Sequence, residues 1–268
     1  MAAVNQEIHK MKIYIFADME GISGICGSQM VSTAEGGSEY QRGRKYLTAE
    51  VNNCIKACFD AGADEVVLRD GHGCGYNVIW EDIEYDVELV QGYTCDIRFA
   101  GIEGADGVIL LGYHAMGGTI NAHLEHTFSS KAIQHMWING KQVGEFAIDA
   151  AIAGEKGIPV IMTSGCDKLC AEARSFYPEV VTCQVKKSMG CQSVIMLSPQ
   201  AARKQIYDKT CEAIQKLKEG KIPPFQVSKP VTVRKEFVSR MEPSRNLVAP
   251  RTVEATDDSI EVAFFNAR

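Results

Sequence analysis

The stretch Lys12 to Gly24 reads K-I-Y-I-F-A-D-M-E-G-I-S-G, and the prediction of the fold starts from it. Its first part, Ile13 to Ala17, is a short apolar run rich in β-branched and aromatic residues, which predicts a strand buried on both faces, as in a parallel sheet. Two carboxylates, Asp18 and Glu20, follow the run, and glycines then mark a turn. Acidic groups in this position lie at the carboxyl end of a strand, the edge where open α/β sheets build their sites. Taken alone, Asp18 could instead cap the next segment or form a surface turn.

The composition indicates a globular protein with one large α/β domain. The 268 residues are 46% hydrophobic and 23% charged. A net charge of -6 predicts no nucleic-acid partner and no anionic membrane surface, and no apolar run reaches the ~18 residues of a membrane span. Residues 1–10 are polar, have no secretion signal and are interpreted as an N-terminal extension. The 10 cysteines include no C-x-x-C pair, which favours reduced thiols and a cytoplasmic location.

The periodicity of the remaining chain predicts alternating strands and helices. Asn139-Gly140 predicts a two-residue hairpin with a type I′ turn, and Ser198-Pro199 predicts a helix start. Strands are expected at 65–69, 87–90, 107–111, 160–163, 180–185, 230–237 and 260–265, and helices at about 39–61, 144–157 and 198–220. We therefore expect an α/β fold, with a mostly parallel sheet flanked by helices and a smaller C-terminal α+β part. The expected division is an α/β metal-binding catalytic domain over 11–190 and a C-terminal region over 191–268.

Side chains able to bind metal follow four of the predicted strands. Besides Asp18 and Glu20, these are His72, His114 and Asp167. In a parallel sheet the four strand ends share one edge, where carboxylates and imidazoles suit zinc or manganese. One carboxylate bridging two metals would make a hydrolytic site. Each residue alone could be structural, since His72 could close a loop and His114 could be a core histidine.

Several blocks of the sequence carry a resemblance to a known family. They are D-M-E-G-I-S-G at 18–24, Asp70-x-His72, L-G-Y-H-A at 111–115, E-H-T-F at 125–128, and I-N-G-K-Q-V-G-E ending in Glu145. In this order they resemble the zinc D-aminopeptidases of bacterial dipeptide-transport operons, which are self-compartmentalising peptidases. The resemblance covers nearly the whole chain from Met11 onward.

The resemblance implies two zinc ions per subunit, with manganese not excluded, held by Asp18, Glu20, His72, His114 and Glu145. Asp18 would bridge the ions, Glu20 with His114 would complete one coordination sphere, and His72 with Glu145 the other. Without the resemblance, Glu145 is explained by the favourable helix dipole at a helix start.

The resemblance also implies a catalytic histidine within 117–130, for which the sequence offers two candidates. His126 fits the E-H-T-F block, and His123 fits only if the spacing shifts. We take His126 as the general base or nucleophile, because neutral imidazole is available near pH 7.

The implied function is a dinuclear-zinc aminopeptidase that hydrolyses short peptides with N-terminal D-amino acids. Implied partners are the peptide and further copies of the chain, stacked as rings in a decamer. The family pattern continues past its last strand with a helix, which we expect to be truncated or absent before Arg268. The sequence leaves two other classes open: another dinuclear metal hydrolase, such as a phosphoesterase or amidase, and a non-catalytic flavodoxin-like binding protein.

Overall fold

A seven-stranded sheet forms the centre of the protein. The computed structural model describes residues 9–34, 37–95, 97–238 and 251–267. With strands numbered in chain order, this sheet contains β1 (Lys12–Ala17), β2 (Glu65–Asp70), β3 (Glu88–Val90), β4 (Gly107–Tyr113), β7 (Val160–Cys166), β8 (Val181–Gly190) and β9 (Ser193–Met196). Their order is β3-β2-β1-β4-β7-β8-β9. Neighbouring strands are parallel except for β9, which is antiparallel to β8.

A second, antiparallel sheet has the order β11-β10-β5-β6. Its strands are β5 (Ile133–Ile138), β6 (Lys141–Val143), β10 (Val231–Phe237) and β11 (Thr252–Asp257). Asn139 and Gly140 join β5 to β6 with φ angles of 48° and 79°. Two successive positive φ angles define a type I′ turn, so the predicted hairpin is confirmed.

Five α-helices complete the described part of the chain. They are α1 (Gly37–Asp60), α2 (Glu145–Glu155), α3 (Asp167–Phe176), α4 (Pro199–Lys218) and α5 (Ile260–Asn266). Helix α1 contacts α4, and α2 contacts α3 and α5. The α/β fold with a mostly parallel sheet flanked by helices is therefore confirmed. None of the helices in the described ranges combines the length and the apolar character needed to span a membrane.

The strands at the centre of the large sheet are almost wholly buried. Every residue of β4 and β7 is buried, and so is every residue of β1 after Lys12. Covering both faces of a strand requires continuous apolar sequence, which is what Ile13 to Ala17 supplies. Because β1 lies between β2 and β4, the residues that follow these three strands are brought together at one edge.

Part of the secondary-structure prediction was wrong. The segment predicted as a strand at 260–265 is helix α5, and α3, β9 and β11 were not predicted. The Ser259 hydroxyl caps α5 by accepting a hydrogen bond from the Val262 backbone N–H. Ile260, Ala263 and Phe264 are buried at helical spacing, so the apolar run has the period of a helix. A helix therefore follows the last strand of the described chain.

The predicted division of the chain at residue 190 stays a prediction, and several contacts cross it. Strand β9 joins the large sheet, and α4 packs against β7 and β8. In the second sheet, β5 pairs with the C-terminal strand β10, which joins the β5–β6 hairpin to β10 and β11.

Candidate metal centre

One cavity of about 630 Å³ is lined by most of the residues that the sequence singled out. Asp18 follows β1 directly, His72 lies two residues after β2, and His114 follows β4. Glu145 reaches the same place from another direction, as the first residue of α2 after the β5–β6 hairpin. The cavity is lined by Asp18, Glu20, His72, His126 and Glu145. His114 is 2% exposed and contacts two of these carboxylates.

The carboxylate of Asp18 lies between two imidazoles. Its Oδ1 atom is 3.0 Å from Nδ1 of His72, and its Oδ2 atom is 3.5 Å from Nε2 of His114. His72 Nδ1 is also 3.1 Å from Oε2 of Glu20, and His114 Nε2 is 3.3 Å from Oε1 of Glu145. A side chain that presents one oxygen to each of two imidazoles has the geometry that a bridging ligand requires.

Each imidazole at the site is oriented by a backbone carbonyl. The bonds run from His72 Nε2 to Val31 O (2.8 Å), from His114 Nδ1 to Ala115 O (3.0 Å) and from His126 Nδ1 to Leu124 O (3.0 Å). A carbonyl only accepts, so these nitrogens carry the proton. The other nitrogen of each ring faces carboxylate oxygens, and it is the atom that would bind a metal ion placed among them. Metal-binding histidines are oriented in this way by a second partner.

Two buried atoms at the site lack a hydrogen-bond partner, namely Oε2 of Glu20 and Nε2 of His114. The site also contains two groups of potential ligand atoms, and within each group the atoms lie within 4.8 Å of one another. One group is Asp18, Glu20 and His114, and the other is His114, His126 and Glu145. Buried polar atoms are normally paired, and a cation would satisfy both atoms. The nitrogen and oxygen donors present here fit zinc.

The charges at the site favour a cation held among the carboxylates. Burial works against charge on His114, but Glu145 and Asp18 raise the pKa of His114 well above its ordinary value. Burial raises the pKa of Glu145, yet His114 and His126 outweigh it and lower that pKa to about 2. Since a metal ion can replace imidazole protons in balancing the carboxylates, binding is expected to release protons.

The two candidate histidines lie in different surroundings. His126 lines the cavity and stacks on the ring of His114, with ring centroids 4.0 Å apart. His123 is 1% exposed, and its backbone N–H donates to the Ser188 hydroxyl. Burial and the neighbouring Lys186 lower the pKa of His123 to about 3. The geometry therefore favours His126, whose Nε2 is 3.7 Å from Oε1 of Glu145.

One strand-end residue from the sequence prediction lies outside this cluster. Asp167, after β7, accepts a hydrogen bond from the Ser188 backbone N–H at 2.7 Å. Asp70, which ends β2, likewise has a structural role, because its carboxylate accepts from the backbone N–H groups of Asn77 and Val78. Both carboxylates are occupied by backbone hydrogen bonds, Asp167 with strand β8 and Asp70 with the loop after β2.

Sequence reasoning missed a charged pair behind Glu145. Arg98 donates to both oxygens of Asp149 at 2.7 Å, and its Nη2 lies 3.8 Å from Oε2 of Glu145. Tyr113 also donates to Asp149, at 2.6 Å. The signal for this pair was Asp149 itself, a lone acid in the alanine-rich apolar run F-A-I-D-A-A-I-A of α2. Nothing in the sequence pattern identifies Arg98.

Glu172 was missed as well. It lies on α3, and its Oε2 accepts a hydrogen bond from the Met116 backbone N–H at 2.8 Å, two residues after His114. An added Cβ on Gly144 would lie 2.5 Å from its Oε1, so the two residues are closely packed. Burial raises the pKa of Glu172 to about 7. The carboxyl of Glu172 thus holds the loop that follows His114 through the Met116 backbone.

The fold and the site together define a metal-dependent hydrolase of the α/β class. A protein family described as D-aminopeptidase matches residues 11–267 of the chain. A D-aminopeptidase of Bacillus subtilis (strain 168) is 35% identical over 210 residues, covering 76% of this chain and 74% of that protein. A solved structure, the Zn-dependent D-aminopeptidase DppA from Bacillus subtilis, a self-compartmentalizing protease, is similar with a TM-score of 0.85. Its identity is 29%, and the match covers 95% of this chain and 94% of that one.

The chain belongs to the D-aminopeptidase family, and it is by class a metallo-aminopeptidase. The family resemblance seen in the sequence is therefore confirmed. Family membership supports a peptidase rather than a phosphoesterase or a non-catalytic binding protein.

Proposed function

We propose that the protein is a dinuclear-zinc D-aminopeptidase that removes the N-terminal residue of short peptides. The observation that carries the proposal is the position of Asp18, whose two oxygens face His72 and His114 in a cavity also lined by Glu20 and Glu145. Zinc is supported by this donor set and by the Zn-dependent relative.

The proposed zinc ligands are Asp18, Glu20, His72, His114 and Glu145, with Asp18 shared by two ions. Ions bound there would polarise the scissile carbonyl and lower the pKa of a water molecule. The protein's own part in the metal site is orientation, because the carbonyls of Val31 and Ala115 fix the rings of His72 and His114.

His126 is proposed as the catalytic histidine. Its Nδ1–H donates to the Leu124 carbonyl, so Nε2 is left free on the cavity side to accept a proton or attack the carbonyl carbon. It does not belong to the proposed ligand set, although it lies within reach of Glu145.

Glu125 is proposed to bind the free α-ammonium of the peptide. Among the described residues that line the cavity, it is the acidic side chain outside the ligand set. Its Oε2 accepts the Gly118 backbone N–H at 2.6 Å, which orients the carboxylate. The preference for a D-residue rests on family membership, since no single contact in the cavity accounts for it.

We further propose that the protein acts in the cytoplasm as a homo-oligomer, with stacked rings forming a decamer. All 10 cysteines are free, as expected in a reducing compartment. The similar structure described as a self-compartmentalizing protease supports assembly.

The test is elemental analysis of the purified protein beside paired assays of D-alanyl and L-alanyl peptides. Wild-type protein should contain zinc and release D-alanine. Asp18→Asn should lose zinc and activity together, whereas Asp167→Asn, after β7, should keep both. Full zinc content with unchanged activity in Asp18→Asn would contradict the assignment of the site.

A further inference from the structure

A buried lysine, Lys186 on β8, lies beneath the turn that carries Glu20. Its side chain is 2% exposed. Its Nζ atom donates hydrogen bonds to the backbone carbonyl oxygens of Glu20 (2.5 Å), Ile22 (2.9 Å) and Ile25 (2.9 Å). An ammonium group has three N–H donors, so these three carbonyls satisfy it completely.

No carboxylate of the described residues forms an ion pair with Lys186, although the buried Glu50 and Glu20 favour its charge from farther away. Taking an ammonium group out of water is costly, and the groups that bind it directly here are three carbonyl oxygens. An apolar side chain in the same place would avoid that cost but would leave three buried carbonyls without a donor. The lysine therefore fixes the shape of the turn at a cost in stability.

The same turn is held from its other side by the end of β4. The Gly21 backbone N–H donates to the Gly112 carbonyl at 2.7 Å. There is no space for a side chain on Gly21, because an added Cβ would lie 1.9 Å from the Tyr113 carbonyl oxygen. The turn is thus fixed between the Gly112–Tyr113 backbone and the ammonium of Lys186.

We propose that Lys186 is a positioning residue for the metal centre, which holds the carboxylate of Glu20 in place through the Glu20 carbonyl. The proposal rests on the proposed function, since it takes Glu20 as a zinc ligand. The carbonyl of Glu20 is bound to Lys186, and its carboxylate lies 3.1 Å from His72 Nδ1. Glu20 thus links the buried ammonium of Lys186 to the proposed metal ligands. Loss of the ammonium frees the turn and lets the carboxylate move.

The first measurement is zinc affinity, by competition with a chelator of known affinity, in Lys186→Met and in the control Lys187→Met. Lys187 is the next residue on β8 and is exposed. Supporting groups of metal ligands typically contribute about 10- to 100-fold in affinity, so we expect a loss of that size in Lys186→Met. Lys187→Met should stay within about twofold of wild type. Equal affinity in Lys186→Met and wild type would overturn the proposal.

A double-mutant cycle separates positioning from general stabilisation. In a Glu20→Ala background there is no carboxylate to position, so adding Lys186→Met should cause no further loss of zinc affinity. A purely structural role would give the same fold-loss in both backgrounds, and that result would overturn the proposal. If Lys186→Met does not fold, Lys186→Gln, which keeps two N–H donors, takes its place under the same criterion.

The cycle also distinguishes failure of this proposal from failure of the proposed function. If Glu20→Ala alone leaves zinc affinity unchanged, Glu20 is not a ligand, and both the ligand assignment and the positioning role are wrong. If Glu20→Ala weakens zinc binding while Lys186→Met does not, the ligand assignment stands and only the positioning role is wrong.

Discussion

His123 and His126 are three positions apart in sequence but lie in different surroundings, and substitution of each should affect catalysis differently. His126 lines the cavity, whereas His123 is 1% exposed. Because general acid–base catalysis contributes about 10²–10⁴-fold, His126→Gln should lower kcat by that factor and keep its zinc. His123→Gln should keep kcat within a few-fold. Peptidase assays beside elemental analysis check this, and loss of zinc in His126→Gln would contradict its assignment as catalytic rather than ligating.

The burial of His123 should also appear in the pH dependence of stability. Burial, with a contribution from Lys186, lowers its pKa to about 3 from the ordinary 6.5. Below pH 6.5 the unfolded chain takes up a proton that the folded chain does not, so the free energy of unfolding falls as the pH falls. Between pH 7 and pH 5 this loss amounts to about 2 kcal/mol.

The measurement is urea unfolding of wild type and His123→Gln at pH 7 and pH 5. The variant should lose about 2 kcal/mol less than wild type over this interval. Other groups that titrate at the metal centre are present in both proteins, so the difference isolates His123. The same pH dependence in both would show that folding does not lower the pKa of His123.

At the scale of elements, the turn after β1 depends on its close approach to the end of β4. An added Cβ on Gly21 would lie 1.9 Å from the Tyr113 carbonyl oxygen, whereas one on Gly27 would lie 3.1 Å from the mobile end of the Gln29 side chain. Gly21→Ala must therefore shift backbone, and we expect it to lower stability by about 1–3 kcal/mol and to weaken zinc binding.

Gly27→Ala is the matched control, and it should change stability by less than about 0.5 kcal/mol. Denaturant unfolding of the metal-free variants and their zinc content check both expectations. If Gly21→Ala kept wild-type stability and zinc, the contact between the turn and β4 would not fix the ligand-bearing loop.

The sequence predicted well those elements whose pattern of apolar residues matches the way they are buried in the fold. Ile13 to Ala17 is continuously apolar because both faces of β1 are covered. By contrast, β9 and β11 are edge strands, and pairing with a neighbour rather than local pattern decides their conformation. The run at 260–265 was mispredicted for a different reason, since short apolar runs fit either a strand or a helix.

The same limit applies to the candidate site. Asp18, Glu20, His72 and His114 follow strands of one parallel sheet, so topology alone predicts their proximity. Glu145 enters from the second sheet, and only the family resemblance pointed to it. Arg98, Glu172 and Lys186 act through tertiary contacts that leave no local pattern in the sequence.

At the scale of the whole molecule, removal of metal should lower the melting temperature. Zinc at about a hundred times its Kd stabilises the folded state by about 2.7 kcal/mol. For a chain of this size, that corresponds to a shift of about 5–10 °C. A thermal melt with and without EDTA should show this shift in wild type and not in Asp18→Asn. An unchanged melting temperature on chelation of wild type would contradict a metal-dependent centre.

The pairing of β5 with β10 has a consequence for how the protein is made. Val233 pairs with Ile138, so the strand that leads through the hairpin to Glu145 is supported by a segment synthesised much later. Long-range pairings of this kind form slowly and only when both partners are available. A ribosome-bound chain in which β10 has not yet been synthesised already contains Asp18, His72, His114 and the β5–β6 hairpin. It lacks the strand that pairs with this hairpin, which precedes Glu145. Completion of the catalytic centre is thereby deferred until the nascent polypeptide is nearly finished.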